Sequence, residues 1–254
     1  MPRHIAGRSR LVALLLVAAL SMALGATVSA ASDLPPCTVA DTLTRHRTYA
    51  DWDRSLLDYT FRLPSSYVPR DLRSTADAGL NGGHSVGQRV LSDLRAMAGA
   101  ARNAGARLAV QSAYRSYTAQ QATFESWVRK LGYATALKES ARAGHSEHQL
   151  GTAIDFKSYG GAQPWDLDDW GTTKAGAWMR TNAWKYGFVL SYPRGRTSVT
   201  CYIYEPWHFR YVGRDRAVEI RASGLTLREF LWREQTNPPP TPLPFVPGGP
   251  TRGG

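Results

Sequence analysis

Apolar residues along this chain follow helical spacing in some stretches and extended spacing in others, which predicts a mixture of helices and strands. In residues 86–101, Val90, Leu94 and Met97 fall on one face of a helix. The same spacing predicts further helices over residues 118–132, 135–141, 174–186 and beyond Thr226. A Ser or Thr followed three residues later by Gln or Glu marks three of these starts, at Ser85, Thr118 and Thr226.

Short apolar segments bounded by Gly and Pro indicate strands. They are predicted over residues 108–112, 152–156, 188–192, 202–205 and 209–212. The turns between them are short enough for antiparallel pairing, and helices and strands do not alternate regularly. This order favours an α+β fold over a doubly wound parallel sheet.

Both ends of the chain differ from its middle. Three arginines, an apolar run over residues 11–24 and the small residues up to Ala30 predict a signal peptide over residues 1–30. The run is shorter than the roughly 20 residues that span a bilayer, so no permanent membrane anchor is expected. A polar lead-in is predicted over residues 31–60, a folded domain over residues 61–235, and a flexible Pro- and Gly-rich tail over residues 236–254.

Charge and cysteine content fit an exported protein. The net charge is +11, and +8 without the three arginines of the predicted leader. Export argues against nucleic acid as partner. The excess positive charge would then bind an anionic wall polymer or only keep the protein soluble.

Cys37 and Cys201 are the only cysteines. In an oxidising compartment they are expected to form a disulfide, and two are too few for a thiolate zinc cluster.

Three histidines lie near carboxylates in segments that could bind a metal. His148 precedes Asp155 by seven residues, and Asp155 interrupts an apolar strand, where an ionised carboxylate is costly unless it is paired or bound to a metal. His208 follows Glu205 by three residues. Two histidines and one aspartate form a set that holds zinc with an open position for water. From spacing alone, His145 remains a rival ligand to His148.

Glu205 is not needed as a ligand in such a set and could act as a base beside the metal. Residues three apart on a regular strand face opposite sides, so the chain must bend between Glu205 and His208 if both are to serve one site. Pro206 is consistent with that bend.

Three ordered motifs resemble those of the VanY-type D-alanyl-D-alanine carboxypeptidases, a zinc peptidase family that also contains D-Ala-D-Ala dipeptidases. The motifs are Tyr114-Arg115-Ser116-Tyr117-x-x-Gln120, Ser146-x-His148-x-x-Gly151-x-Ala153-x-Asp155 and Glu205-Pro206-Trp207-His208-x-Arg210-Tyr211-Val212-Gly213. The resemblance covers residues 63–231 and implies a small antiparallel sheet flanked by helices. Ala113 and Ala143 depart from the family's usual glycine and proline.

The resemblance assigns a role to each motif residue. It implies one zinc ion held by His148, Asp155 and His208, which disfavours His145. It implies Glu205 as general base and Arg115 as the group that steadies the substrate and the oxyanion. Ser146 and Gln120 are weaker candidates for substrate contacts.

The function implied is removal of the C-terminal D-alanine from peptidoglycan stem peptides by a secreted bacterial hydrolase. An L,D-carboxypeptidase or D,D-dipeptidase would carry the same zinc set, and a wall-lysing endopeptidase is a further alternative. A non-catalytic wall-binding module that keeps zinc for structure would have no use for Glu205.

Overall fold

The computed structural model describes residues 33–236. The predicted signal peptide and, apart from Thr236, the predicted tail lie outside these residues. Across residues 33–236, no helix combines the length and apolar character needed to cross a membrane.

Eight short strands and seven α-helices make up the described part of the chain. The strands are β1 (Thr42–Leu43), β2 (Phe61–Arg62), β3 (Leu72–Ser74), β4 (Ser85–Gly87), β5 (Leu108–Ser112), β6 (Ala153–Ser158), β7 (Phe188–Leu190) and β8 (His208–Tyr211). The helices are α1 (Leu91–Asn103), α2 (Tyr117–Leu131), α3 (Tyr133–Glu139), α4 (Lys174–Asn182), α5 (Thr197–Thr200), α6 (Arg214–Ser223) and α7 (Leu227–Thr236).

The central sheet has the strand order β5-β6-β8-β7, and every pairing in it is antiparallel. Two smaller two-stranded sheets pair β1 with β2 and β3 with β4. Helices flank the central sheet, so the predicted α+β class is confirmed.

The main core lies between the central sheet and helices α1 and α4. Phe156, Phe188 and Phe209 come from three different strands and are at most 2% exposed. Their rings meet edge to face at 6.1 Å, an arrangement that adds to the burial of their apolar area. From α1 and α4, Met97 and Met179 pack into the same cluster and are fully buried. This packing fixes the strands that carry the site.

The segment predicted as a polar lead-in is part of the packed structure from residue 33 onward. Leu56 is 1% exposed and packs with Ile220 of α6 and Phe230 of α7. A disulfide joins Cys37 to Cys201, with their Cα atoms 5.4 Å apart, as the export argument predicted. The prediction of an irregular segment overlooked these contacts because their partners lie more than 150 residues away.

Helix boundaries differ from the sequence prediction where tertiary contacts compete with local signals. The first helix begins at Leu91 rather than at residue 86, because Ser85–Gly87 instead forms β4. The predicted cap of α2 at Thr118 is wrong by two residues: the Ser116 hydroxyl accepts a hydrogen bond from Ala119 N at 3.2 Å. By contrast, the capping box of Thr226 and Glu229 is present as predicted.

Two further predictions need correction. Residues 202–205 do not form a strand but an irregular segment that follows Cys201, whose φ of 73° lies in the left-handed region. The helix predicted to reach residue 186 changes to a 3-10 turn over Ala183–Tyr186 before ending at Gly187. Helix α6 was not predicted, because few of its residues are apolar.

Candidate metal centre

His148 is carried by a single 3-10 turn over Glu147–Leu150. The Ser146 hydroxyl accepts a hydrogen bond from His148 N at 3.3 Å and begins this turn. Gly151 ends it with a φ of 73°, and a Cβ there would lie only 3.0 Å from the Pro69 side chain. The close packing therefore requires glycine at the point where the chain turns from His148 into β6.

Asp155 and His208 are brought together by the register of the central sheet. Residue Asp155 of β6 lies directly opposite His208 of β8. Side chains of directly opposed residues project from the same face of a sheet. The Asp155 carboxylate lies 2.9 Å from His208 Nδ1 and 3.1 Å from His148 Nε2.

The resulting cluster has the donor chemistry of a catalytic zinc site. One ligand atom from each of His148, Asp155 and His208 lies within 4.8 Å of the others, and all three residues are buried. The second ring nitrogen of each histidine has its own acceptor: His148 Nδ1 donates to Ala113 O at 2.6 Å, and His208 Nε2 donates to Glu147 at 2.9 Å. The inner nitrogens, His148 Nε2 and His208 Nδ1, are thus free to ligate. These residues fit zinc.

Glu205 reaches the same site because the chain turns between it and His208. His208 N donates to Glu205 O at 3.1 Å, with Pro206 and Trp207 between them in a turn. The bend predicted from the three-residue spacing is therefore present. The Glu205 carboxylate lies 3.8 Å from His208 Nδ1 and is 13% exposed. Burial raises the pKa of Glu205 to about 8, while His208 opposes and Asp155 reinforces this increase.

Arg115 enters the site just after an irregularity in the sheet. The register of β5 shifts between Val110 and Ser112, as in a β-bulge, and the chain then leads past Ser112 to Arg115. Arg115 N donates to His148 O at 3.3 Å, which joins the two loops. Within the described residues, the Arg115 guanidinium has no hydrogen-bond or ion-pair partner, and its buried Nε is unsatisfied. It is thus available to an anionic group in the cavity.

A cavity of about 380 Å³ brings these groups together beside aromatic walls. Its lining includes the three candidate ligands with Arg115, Glu205 and Ser146, and it also includes Glu139, Trp127, Trp165, Tyr192, Tyr202 and Trp207. Trp165 is 41% exposed and contacts the Trp207 ring edge to face at 6.1 Å. The lining thus combines charged and polar groups with aromatic side chains, which is typical of a small-molecule site.

Two other predicted candidates lie away from the cavity. Gln120 is fully buried in α2 and donates to Ala141 O at 2.7 Å, so it supports the cavity loop and does not line the cavity. Substrate contact by Gln120 therefore stays a prediction, and it is made from a residue behind the cavity wall. His145 faces the opposite way, with its ring nitrogens 2.7 Å from Asp58 O and 3.0 Å from the Asp41 carboxylate. This geometry excludes His145 as a rival ligand.

The sequence prediction missed a buried polar network behind His208. Glu147 contacts His208, the Ser191 hydroxyl and the Arg210 guanidinium. Burial alone would raise the pKa of Glu147, but the positive charge of Arg210 and the hydrogen bond from His208 outweigh burial and lower the pKa to about 2. A signal was available for Arg210, a charged residue between the aromatic residues Phe209 and Tyr211 of β8.

Comparison with known proteins identifies the family. Residues 83–214 match the sequence model described as VanY: D-alanyl-D-alanine carboxypeptidase. The chain belongs to this family. The matched range contains every candidate ligand, Arg115 and Glu205.

One relative and two solved structures agree with this assignment. The putative carboxypeptidase YodJ of Bacillus subtilis (strain 168) is 36% identical over 183 residues, covering 70% of this chain and 66% of YodJ. The structure of the LD-carboxypeptidase LdcB is 30% identical, with a TM-score of 0.65 and coverage of 77% of this chain and 98% of LdcB. A vancomycin resistance D,D-pentapeptidase VanY mutant, solved with Zn(II), is also 30% identical, with a TM-score of 0.61 and coverage of 71% and 99%. This chain spans slightly less than two thirds of the length of YodJ.

The two departures from the VanY-type motifs leave the metal cluster intact. Ala113 accepts the hydrogen bond from His148 Nδ1 through its backbone carbonyl, a group that any residue at this position would provide. Ala143 precedes Gly144, whose φ is 86° and where a Cβ would lie 3.0 Å from Leu63 O. The tight contact at this loop therefore depends on Gly144 and not on the residue before it.

Proposed function

We propose that this protein is a zinc D,D-carboxypeptidase that removes the C-terminal D-alanine from peptidoglycan stem peptides ending in D-Ala-D-Ala. One observation carries the proposal. A buried His-Asp-His set, a carboxylate within 4 Å of one of its histidines and an unpaired guanidinium line one cavity. Membership of the VanY family supports the same reaction.

His148, Asp155 and His208 would hold the zinc ion. The chemistry supplied by bound zinc is that of a Lewis acid, which makes water a stronger acid and a carbonyl carbon more electrophilic. Glu205 then acts as general base: it takes the proton of the attacking water and returns it to the departing amine of D-alanine.

Arg115 stabilises negative charge. Its planar guanidinium can bind the C-terminal carboxylate of the peptide or the oxygen of the scissile carbonyl as charge develops there. Ser146 lines the same cavity, but its hydroxyl already accepts from His148 N. A substrate contact through Ser146 would therefore use its remaining donor.

The location follows from the same proposal. Stem peptides lie outside the bacterial membrane, so the enzyme would act after export, consistent with the predicted leader and the disulfide. Binding to an anionic wall polymer stays a prediction from the net charge of +8.

The proposal is tested by D-alanine release from a synthetic pentapeptide ending in D-Ala-D-Ala. The variant Glu205→Gln keeps the size of the side chain but removes the base, and we expect kcat to fall by about 10²- to 10⁴-fold. Exposed Glu219 lies on α6, and Glu219→Gln makes the same chemical change as a matched control. The control should retain wild-type activity.

Metal dependence is measured in the same assay. Chelator should abolish release and added zinc should restore it. Chelator-insensitive release would overturn the metal role, and full activity of Glu205→Gln would overturn its role as base. Bound zinc with no activity on any wall peptide would instead favour the non-catalytic binding module.

An L,D-carboxypeptidase is the second candidate, because the LD-carboxypeptidase LdcB has a slightly higher TM-score than the D,D-pentapeptidase, 0.65 against 0.61. The tetrapeptide with a single terminal D-alanine distinguishes the two. Larger kcat/KM on the tetrapeptide would favour L,D specificity. Release of the intact D-Ala-D-Ala dipeptide, or cleavage of cross-linked wall, would identify the dipeptidase and endopeptidase alternatives.

A further inference from the structure

Glu147 is a buried carboxylate with three partners and no access to the cavity. Its side chain is 5% exposed. Glu147 Oε2 accepts hydrogen bonds from His208 Nε2 at 2.9 Å and from the Ser191 hydroxyl at 2.6 Å. Glu147 Oε1 accepts from Arg210 Nη1 at 3.0 Å. Glu147 contacts His208 through Nε2, whereas Asp155 contacts it through Nδ1.

The sheet makes this arrangement rigid. His208 and Arg210 are two residues apart on β8, so both side chains project from the same face. Arg210 is fully buried, and its Nη2 donates to Trp52 O at 2.9 Å. Arg210 is therefore held at both ends of its guanidinium, and it holds Glu147 in turn.

We propose that Glu147 is a positioning residue for His208, with Arg210 and Ser191 holding Glu147 in place. The carboxylate accepts the Nε2–H proton of His208. This contact fixes the tautomer whose Nδ1 lone pair points toward Asp155 and the proposed ion. The inference rests on the proposed zinc site and adds a residue beyond the ligands.

Stability alone does not account for a buried ion pair of this kind. Desolvating both charges costs about as much as their attraction returns, and apolar residues of similar volume often serve as well. For His148 the corresponding acceptor is the backbone carbonyl of Ala113, which carries no charge and therefore needs no counter-ion. Within residues 33–236, His208 Nε2 has no backbone carbonyl as partner and is hydrogen-bonded to the Glu147 carboxylate instead. The carboxylate supplies the missing acceptor, and Arg210 compensates its charge.

The variant Glu147→Gln tests the inference directly. The amide has one oxygen, which can accept from either His208 or Arg210, so its NH₂ group must face a donor on the other side. We expect zinc affinity to fall by about 10- to 100-fold, measured by competition with a chromogenic chelator. The cobalt-substituted variant should also show altered visible absorption bands, because the ligand ring is no longer held in one orientation.

Two comparisons separate positioning from general damage to the fold. Glu219→Gln should bind zinc as the wild type does. Thermal unfolding in chelator measures how far Glu147→Gln weakens the fold itself, and the affinity loss should persist at temperatures where the variant is fully folded. Unchanged zinc affinity and an unchanged cobalt spectrum would overturn the inference.

A measurement on the wild type covers the case in which the variant does not fold. Long-range ¹H–¹⁵N spectra of the zinc-loaded protein should show His208 with its proton on Nε2, exchanging slowly with solvent. A proton on Nδ1 would overturn the inference. If the wild type binds no zinc, the proposed metal site fails as well. If it binds zinc and Glu147→Gln binds equally well, only the role of Glu147 fails.

Discussion

Removing the disulfide should destabilise the protein mainly through its unfolded state. The bond joins Cys37 to Cys201 across 164 positions of sequence. Without it the folded N-terminal segment keeps other contacts: Arg142 donates to Ala40 O at 2.5 Å and to the Asp41 carboxylate at 2.8 Å. The double variant Cys37→Ser/Cys201→Ser should therefore adopt the same fold.

The size of the effect follows from the length of the closed loop. The chain-entropy treatment gives about 5 kcal/mol for a loop of this length, and measured losses are typically about 2–5 kcal/mol. A domain of this size is usually stable by about 5–15 kcal/mol. The variant should thus lose a large share of its free energy of unfolding.

Urea denaturation of mature protein, followed by tryptophan fluorescence, is the assay. The midpoint should fall, and the slope of free energy against urea should rise, because an unfolded chain without the cross-link exposes more surface. Reductant should shift the wild type to the midpoint of the variant and leave the variant unchanged. The native fold should persist in the variant, with D-alanine release retained per folded molecule.

A loss below about 1 kcal/mol, with a thiol assay confirming that the wild-type bond was intact, would refute this reasoning. It would mean that the unfolded chain is already restricted without the bond. Loss of the native near-ultraviolet spectrum would refute it differently, by showing that the contacts of Ala40 and Asp41 cannot hold the segment.

Two further predictions concern the cavity and the last helix. Arg115→Lys should lower kcat/KM by about 100-fold, since an ammonium cannot reproduce the planar pair of donors; equal activity of variant and wild type in steady-state kinetics would contradict this. Thr226→Ala removes the hydroxyl that accepts from Glu229 N at 3.3 Å and should cost about 1 kcal/mol in urea denaturation. An unchanged midpoint for Thr226→Ala would show that packing of α7 alone holds the helix.

Local signals in the sequence account for much of the fold. The capping box at Thr226 and the stop of α2 at Gly132 were predictable because both depend on residues within one helical turn. The start of α1 was not predictable in this way. Residues 85–87 pair with β3, and that pairing outweighs the capping signal at Ser85.

The sequence by itself determined the chemistry of the candidate site. A histidine and an aspartate at motif spacing, followed by a glutamate and a second histidine, limit the reactions available, because few donor sets suit zinc. The need for a bend at Pro206 also followed from the sequence, since strand geometry forbids residues three apart from sharing a face.

Only the tertiary structure decided which of these residues meet and what supports them. His145 and His148 are equivalent by spacing, but Asp41 and the Asp58 carbonyl engage one of them and leave the other to Asp155. Glu147 likewise lies beside His148 in sequence, yet its carboxylate accepts a hydrogen bond from His208, 61 residues away. The reason is physical: a buried polar group must find a partner wherever the fold provides one, and that partner is set by the tertiary packing and not by distance along the chain.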